Sequence, residues 1–560
     1  MPGGLMQLVG KGAQDQLVTG NPSFTYFRGM YKRHSDFAME HFRLYFRTKN
    51  MSLPPSGSLT LTAKAERYAQ LLHDCYLSIQ LPDIYSPVVS VPHGSPTLAP
   101  DATAIGYEFQ WVRNIGYNLI NYVAVTINGQ EIVRHTGEWM KLYAHTKFDA
   151  NKKKVLNELV GHVVEMYDPA NAFDRMNQYP HSISTSSASA PSIAGRVLTI
   201  PLHFWFCESI GSALPLIALQ HSEVDIVVDL KNIYQLYTVL DTDIGSPTFG
   251  TRIAPPPNIT TFLSPPLQST LPTNTALTSW NMNPFIEANY IFVSDAELAH
   301  IASTDHSFLV TQIDVRQALG QYGPSNDLEL MLRNLCTRVI WVAQRNDRAL
   351  QNDYDNYTNW VDPNKSPLQS NSHYMTPWYS AGIQESTGIT SRDILLESAI
   401  ILDGKERFNT KQVEFFSHIQ NYRHNTGTTI TELAGMYMYS FALDHDKGQP
   451  SGHINGSQFN KTILRNTYVE PPLGFMVGMN APPNNVCVLK STANNPNPTV
   501  VNPAAVDKQG NRLYAANDVV YIVQKTSGNT LAYTYNVRAF VESYNFLRVM
   551  SGIANVVFSS

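Results

Sequence analysis

Short strand-like runs recur along almost the whole of this 560-residue chain. Apolar and polar residues alternate within many runs, and Pro, Gly, Asn and Asp end them, as in short antiparallel strands. Few helical patterns lie between the runs, whereas a parallel α/β sheet needs a helix after each strand. The sequence therefore predicts an all-β fold. The clearest runs are residues 41–46, 58–63, 75–81, 196–206, 222–230, 310–315, 335–343, 397–408, 437–443, 519–525 and 531–541.

The two halves of the chain repeat one pattern. TINGQEIVRHTGEW, with the turn signal Asn128-Gly129, resembles ILDGKERFNTKQVEF, with Asp403-Gly404. In each half an aromatic strand, a proline-containing turn and another strand follow in the same order. A single core stops growing at roughly 250–300 residues, so a chain of this length needs two. We therefore predict a duplicated β unit, with an N-terminal arm at 1–26, the first unit at 27–303 and the second unit at 304–560.

One helix and several long loops interrupt the strands of the first half. The stretch from 155 to 163 repeats apolar residues at helical spacing, which predicts one helix. Residues 82–100 and 241–284 are rich in proline and polar residues and predict long loops, and a Ser/Ala-rich linker spans 182–194. The predicted apolar stripe consists of Val155, Leu156, Leu159, Val160 and Val163.

Charge and cysteine content limit the partners and the compartment. Charged residues make up 15% of the chain, against about 25% in typical domains. Extensive subunit contacts and dilution by Asn, Ser, Thr and Pro loops explain this equally well. The net charge of −5 and the lack of a basic cluster give no support for direct nucleic-acid binding. Four cysteines more than a hundred residues apart favour a reducing compartment such as cytoplasm. No apolar run is long enough to span a membrane, and the N-terminus is not a convincing signal peptide.

Motifs for catalysis and metal binding are missing from the sequence. There is no P-loop and no GxSxG turn, and no two histidines lie two residues apart, as a cupin-type metal strand would need. His300 and His306, like His418 and His424, are six apart. The run 353–356 resembles a calcium loop but lacks its glycine and final glutamate, so we expect a solvated loop. We predict no catalytic, cofactor-binding or metal-binding residue, no cofactor and no enzyme.

Segments along the whole chain resemble the major capsid proteins of nucleocytoplasmic large DNA viruses, in the style of the chlorella-virus and mimivirus-like members. The matches keep the family's order from end to end, which makes them specific together. The loops at 82–110, 241–284 and 345–390 look longer than in the family. The matching segments are GGLMQLVGKGAQD (Gly3 to Asp15), LVTGNPSFTYF (Leu17 to Phe27), YKRHSDFAME (Tyr31 to Glu40), LPLIALQHSEV (Leu214 to Val224), NYIFVSDAE (Asn289 to Glu297), YSFALDHDKGQPSGHIN (Tyr439 to Asn455) and SYNFLRVMSGIA (Ser543 to Ala554).

This resemblance implies a double jelly roll of two eight-stranded sandwiches with a few short helices and long loops. It implies a homotrimeric, pseudo-hexagonal capsomer that tiles the icosahedral shell of a large double-stranded DNA virus, in a virion assembled in the host cytoplasm. The implied partners are other copies of the chain, minor capsid or cement proteins, penton proteins and the inner viral membrane. Two alternatives remain open: a viral carbohydrate- or receptor-binding β-sandwich protein, and, further off, an enzyme of cupin type.

Overall fold

The fold is taken from a computed structural model of the full chain. Its description covers the following residues: 3–29, 31–48, 51–86, 88–89, 105–106, 108–175, 179–184, 189–240, 252–253, 259–263, 279–349, 352–359, 392–427, 434–445, 448–469, 486–492, 495–501, 519–524 and 534–558.

Eight antiparallel strands in two four-stranded sheets form the first unit. One sheet has the strand order β1-β8-β3-β6 and the other has the order β2-β7-β4-β5. Eight antiparallel strands arranged in this way over two facing sheets make a jelly roll. The strands are β1 (Phe37–Tyr45), β2 (Leu59–Lys64), β3 (Leu71–Gln80), β4 (Ile120–Ile127), β5 (Gln130–Thr136), β6 (Val197–Pro201), β7 (Val224–Leu230) and β8 (Phe285–Val293).

The second unit repeats this topology strand for strand. Its sheets have the orders β9-β16-β11-β14 and β10-β15-β12-β13, which are the first unit's orders shifted by eight. The predicted all-β, double jelly-roll fold is therefore confirmed. The strands are β9 (His306–Gln321), β10 (Asn326–Glu329), β11 (Leu335–Arg345), β12 (Leu395–Leu402), β13 (Lys405–Glu406), β14 (Met436–Ser440), β15 (Thr462–Tyr468) and β16 (Tyr535–Met550).

Shorter strands extend these sheets or form small sheets of their own. Leu214–Pro215 pairs with β3, Lys411–Gln412 with β12, Ile454–Asn455 with β11, and Ile553–Val556 with β16. The small sheets contain Val88–Val89 with Ile105–Gly106; Phe109–Trp111 with Tyr237–Leu240 and Arg252–Ile253; Ile183–Ser184 with Ser189–Ala190; and Val486–Thr492 with Asn495–Val501 and Val519–Gln524.

Helices are few and mostly short. The longest are α1 (Gly137–Lys147), α2 (Ala150–Leu159) and α3 (Asp295–Ser303). Short α-helical turns are Gly3–Val9, Asp15–Thr19, Ile115–Leu119, Val164–Tyr167, Asn346–Ala349 and Gln420–His424, and Phe415–Ile419 is a π-helical turn. Turns of 3₁₀ type are Ala172–Asp174, Trp205–Cys207, Ile210–Ser212, Leu216–Ala218, Ile233–Gln235, Ile259–Phe262 and Gly456–Gln458.

Two matching hairpins show how the sequence directs this repeated topology. Asn128 and Gly129 join β4 to β5 with φ values of 52° and 78°, and Asp403 and Gly404 join β12 to β13 with 45° and 82°. Positive φ at both central positions defines the type I′ turn, whose twist suits a tight hairpin. Asn, Asp and Gly tolerate positive φ better than other residues. Both hairpin predictions are confirmed.

The helix predictions are partly wrong. Helix α2 lies where one was expected, but it ends at Leu159, Val155 is exposed, and Val163 lies beyond it. Helix α1 was not predicted at all, because eight of its eleven residues are buried and a helix covered on most sides has no single apolar stripe. Most of the predicted loops 82–100 and 241–284, and the central part of the linker 182–194, lie outside the described residues.

The strand β11 is buried on both of its faces. Val339, Trp341 and Ala343 belong to the core between the two sheets of the second unit. The alternate residues Ile340 and Val342 belong to a core that continues into the first unit. Side chains on a strand point alternately to opposite faces, so the sheet β9-β16-β11-β14 packs against both its own partner sheet and the first unit. This second contact surface is the seam between the units.

Candidate functional site: the seam between the two units

Helix α1 of the first unit lies in the seam. Thr136 caps its N-terminus, because its Oγ1 accepts a hydrogen bond of 3.2 Å from the Trp139 N–H. Such a cap satisfies one of the N–H groups that a helix leaves free. Trp139, Met140 and Leu142 pack into the core of the first unit. The polar side chains of Glu138, Lys141 and Thr146 instead meet residues of the second unit.

Lys141 and Asp355 form a buried ion pair across the seam. The side chains are only 1% and 6% exposed, respectively. The Asp355 carboxylate also accepts hydrogen bonds from Asn114 Nδ2 at 2.5 Å and Asn118 Nδ2 at 2.9 Å. Burial by itself would raise the pKa of Asp355, but the Lys141 ammonium and the two amide donors outweigh it and lower the pKa to about 2. Asp355 is therefore a fully partnered carboxylate.

Glu138 and Arg538 form a second pair at the first turn of α1. Arg538 Nε lies 2.6 Å from Glu138 Oε2, and Arg538 Nη2 donates to Glu138 Oε1 at 2.8 Å. The Nη2 hydrogen bond joins two charged groups, and such bonds are stronger than those between neutral groups. Tyr357 donates its hydroxyl to Glu138 Oε1 at 2.7 Å. Burial alone would raise the pKa of Glu138, but Arg538, the Lys141 charge and the Tyr357 hydroxyl outweigh it and lower that pKa.

The third pair joins two strands of the second unit and reaches the last turn of α1. Arg338 on β11 lies directly opposite Glu542 on β16, and its Nε donates to Glu542 Oε2 at 2.7 Å. Arg338 Nη1 also donates to Thr146 Oγ1 at 3.3 Å. Nearby, the Gly427 N–H donates to the Thr146 carbonyl at 2.8 Å. The second unit therefore contacts α1 at both ends and in the middle.

The run 353–356 has a different role from the one that we predicted. We expected a solvated loop, but Asp355 and Asn356 are buried in the seam. Burial raises the pKa of Asp353. The ring of Tyr354 lies under the Lys231 ammonium at 4.3 Å. Burial disfavours the charged form of this lysine too, and lowers the pKa of Lys231 to about 8. The sequence does contain a signal for this interface. Arg338 interrupts the apolar strand β11 and Glu542 interrupts the apolar strand β16, and a buried charge needs a partner.

The charges that the structure describes in the seam are paired with one another, so their arrangement favours one relative position of the two units. Replacing a buried ion pair by apolar residues is often neutral, whereas removing one partner costs about 3–5 kcal/mol, because the other charge is left buried. If the two units were displaced relative to each other, these charges would lose their partners while still buried. The ion pairs therefore disfavour other relative positions of the units. In the described parts of the chain, the two similar units are therefore joined by a shared apolar core and by partnered charges.

Two family models match the chain, one over each half. "Major capsid protein N-terminus" matches residues 25–261, and "Large eukaryotic DNA virus major capsid protein" matches residues 297–471. The chain belongs to the major capsid protein family of large eukaryotic DNA viruses. It is a structural protein of the viral capsid, as the resemblance of its sequence implied.

Relatives and solved structures agree with this assignment. The chain is 26% identical to the major capsid protein of Phaeocystis pouchetii virus, over 83% of this chain and 92% of that protein. It is 24% identical to the major capsid protein of Paramecium bursaria Chlorella virus 1, over the full length of both. Its fold matches a chain of the quasi-atomic model of the PBCV-1 virus capsid with a TM-score of 0.60 and 17% identity, covering 96% of this chain and 100% of that one.

The side chains that we considered as metal ligands are not brought together in this capsid protein. His306 Nε2 contacts the Ile301 carbonyl at 2.8 Å, and His424 Nδ1 contacts the Leu443 carbonyl at 3.1 Å. Within the described ranges, no group of three or more His, Cys, Asp or Glu side chains is arranged to hold a metal ion. None of the helices described is long and apolar enough to cross a membrane.

Cys75 and Cys207 lie close together, although 132 residues separate them in the sequence. Both thiols approach the carbonyl of His73, with sulfur–oxygen distances of 3.6 and 3.7 Å. The hydrogen bond with Cys207, followed by burial, raises the pKa of Cys75 well above its usual value. The long separation of these cysteines in the sequence therefore does not prevent their thiols from being neighbours in the fold. Both are free cysteines.

Proposed function

We propose that three copies of this chain form a pseudo-hexagonal capsomer that tiles an icosahedral shell. The observation that supports this proposal best is the identical strand order of the two units in one chain. Closed cyclic symmetry is the usual form of soluble oligomers. Two similar units repeated by a three-fold axis present six similar lobes, and an outline with near six-fold symmetry can pack with its neighbours on a hexagonal net.

The seam supports this proposal by fixing the angle between the two units. A hexagonal outline requires the same angle in every copy, and a loose joint would let neighbouring capsomers collide or separate. Two ion pairs cross the seam, the buried pair Lys141–Asp355 and the partly exposed pair Glu138–Arg538. Arg338 of the buried pair Arg338–Glu542 adds a hydrogen bond to Thr146 of the first unit. Interfaces within a chain normally allow relative motion unless they are large and apolar. Here a shared apolar core surrounds the charges.

The division of the chain is part of the proposal. We infer an arm at 1–26, a first jelly roll at 27–303 and a second at 304–560. Among the described residues, the strands before 294 pair only with each other, and so do those after 305. Helix α3 lies between them and contacts the turn Leu216–Ala218 of the first unit.

The proposed role is structural and not enzymatic. Assembly in the host cytoplasm suits the free cysteines Cys75, Cys207 and Cys336. We propose contacts with minor capsid, cement and penton proteins, and none with nucleic acid. The basic N-terminal segment suits the anionic surface of an inner membrane, because residues 1–50 contain seven basic and three acidic side chains.

Light scattering of the purified chain tests the oligomer. The proposal requires about three times the chain mass of 62.6 kDa. A chain that remains monomeric at micromolar concentration would contradict it. Deletion of residues 2–24 tests the proposed membrane and minor-protein contacts separately. Those contacts require that the truncated chain still forms trimers but fails to build closed particles.

A further inference from the structure

A groove of about 370 Å³ opens where the two units join. Its walls come from the start of β1, the end of β8, helix α3 and the start of β9, so both units contribute. Most of the lining is apolar, and the volume is within the range of ligand pockets. The apolar side chains that matter here are Phe37, Leu71, Ile210, Ile291, Ile301 and Phe308.

One polar group in this groove lacks a partner. Glu297, on helix α3, lines the groove, and its Oε2 atom is buried without a hydrogen-bond partner among the described residues. A carboxylate oxygen only accepts hydrogen bonds, and a buried acceptor without a donor costs free energy. An occupant of the groove should therefore bring apolar side chains together with a donor or a positive charge.

The N-terminal arm has both properties and is not covered by its own chain. In the helix Gly3–Val9 no residue is buried. Leu5, Leu8 and Val9 lie at positions i, i+3 and i+4, so they form one apolar stripe. Lys11 is the second residue beyond the end of this helix. A helix of seven residues is not stable alone in water, so this segment needs a surface on which to fold.

We propose that the helix Gly3–Val9 of one copy docks in the groove of a second copy, where Lys11 meets the Glu297 carboxylate. The inference rests on the proposed self-association and names one contact between the copies, in addition to those that form the trimer. An amphipathic helix in an apolar groove is a recurrent mode of recognition. Exchange of a segment between identical chains is also a low-cost route to an oligomer.

The geometry of the arm allows it to reach a neighbouring copy. Ser35 lies in the wall of the groove, and 26 residues separate it from Val9. An extended chain of that length spans at most about 85 Å. A folded chain of 560 residues has a radius of gyration on the order of 24 Å. The arm can therefore leave its own body and enter the groove of an adjacent one.

Disulfide trapping tests this contact in the full-length chain. Leu8→Cys and Ile210→Cys are introduced together on a Cys207→Ser background, which removes the nearby native thiol. After light scattering has established the oligomer, mild oxidation should give covalent dimers and trimers on a non-reducing gel. A link at monomer mass would show that the arm folds onto its own chain and would overturn the proposal. An oligomer without any link would overturn it too, while leaving the capsomer proposal intact.

Two further experiments make the test specific: a control pair of cysteines outside the groove, and an exchange of the charges at positions 11 and 297. Leu8→Cys with Leu319→Cys is the control, because exposed Leu319 lies on β9 about 36 Å from Phe308. The control should give at least several-fold less cross-linked product, and equal yields would refute docking. On the trapping background, Lys11→Glu should lower the yield several-fold, and Glu297→Lys in the same chain should restore it. Failure of this rescue would remove the proposed Lys11–Glu297 contact.

Discussion

Substitution of Asp355 by Asn should destabilise the chain far more than a surface substitution of the same kind. The change leaves the Lys141 ammonium, which is 1% exposed, without its counter-charge. In the unchanged chain, Asn114 donates to one Asp355 oxygen and Asn118 to the other. An asparagine at this position has only one oxygen, so its NH₂ group would face one of these donors. Loss of one partner of a buried ion pair costs about 3–5 kcal/mol, so we expect a loss of stability of that size.

Urea unfolding followed by tryptophan fluorescence measures this loss. Asp327→Asn is the matched control, because Asp327 pairs with Arg465 on the surface, where the side chains are 42% and 44% exposed. An exposed pair contributes about 1 kcal/mol or less. A second variant, Lys141→Met with Asp355→Asn, should regain much of the loss, since neither charge of this pair remains to be left unpaired. If Asp355→Asn costs no more than Asp327→Asn, the seam does not hold the units together as described.

Three further substitutions test the turns and the buried histidines. Gly404→Ala should cost about 1–2 kcal/mol in urea unfolding, because its φ is 82° but no atom would meet the new methyl group. Gly435→Ala should cost clearly more, since its φ is 85° and the methyl carbon would lie 2.0 Å from the Tyr357 carbonyl oxygen; equal costs would contradict this packing. Burial lowers the pKa of His135 to about 3, so its contribution to stability is full above pH 6.5 and is lost as the pH falls from 6.5 towards 3. In urea unfolding at several pH values, His135→Phe should therefore reduce the fall in unfolding free energy in this window by about 1.4 kcal/mol per pH unit. If the unfolding free energy falls with pH as steeply in the variant as in the parent chain, His135 is not buried in its neutral form.

Most of the strands and the repeat could be predicted because their signals are local. The Asn128-Gly129 and Asp403-Gly404 turns need positive φ at two successive residues, and few residue types tolerate it. Alternating runs such as 222–230 mark one buried face, as the structure of β7 confirms. The order of elements after each hairpin could also be read, because the same kinds of segment follow one another in both halves.

The pairing of residues across the seam could not be predicted, because the partners are far apart in the sequence, although charges within apolar strands were a signal that partners exist. Lys141 and Asp355 are separated by 214 residues, and neither has a neighbour that indicates an ion pair. The acidic run around Asp355 was interpreted as solvated because charged residues are usually exposed. Helix α1 was missed for a related reason, since burial by both units removes the polar face that helical periodicity requires. Contacts between units depend on the assembled fold and not on local pattern.

Electron microscopy of the purified oligomer tests the central claim most directly. Two similar jelly rolls per chain and three chains per particle predict class averages with a hexagonal outline, six lobes and three-fold symmetry. The lobes should alternate between two slightly different shapes, because the two units share a strand order but differ in their loops and helices. Particles with two-fold symmetry, or with three lobes in place of six, would contradict the account.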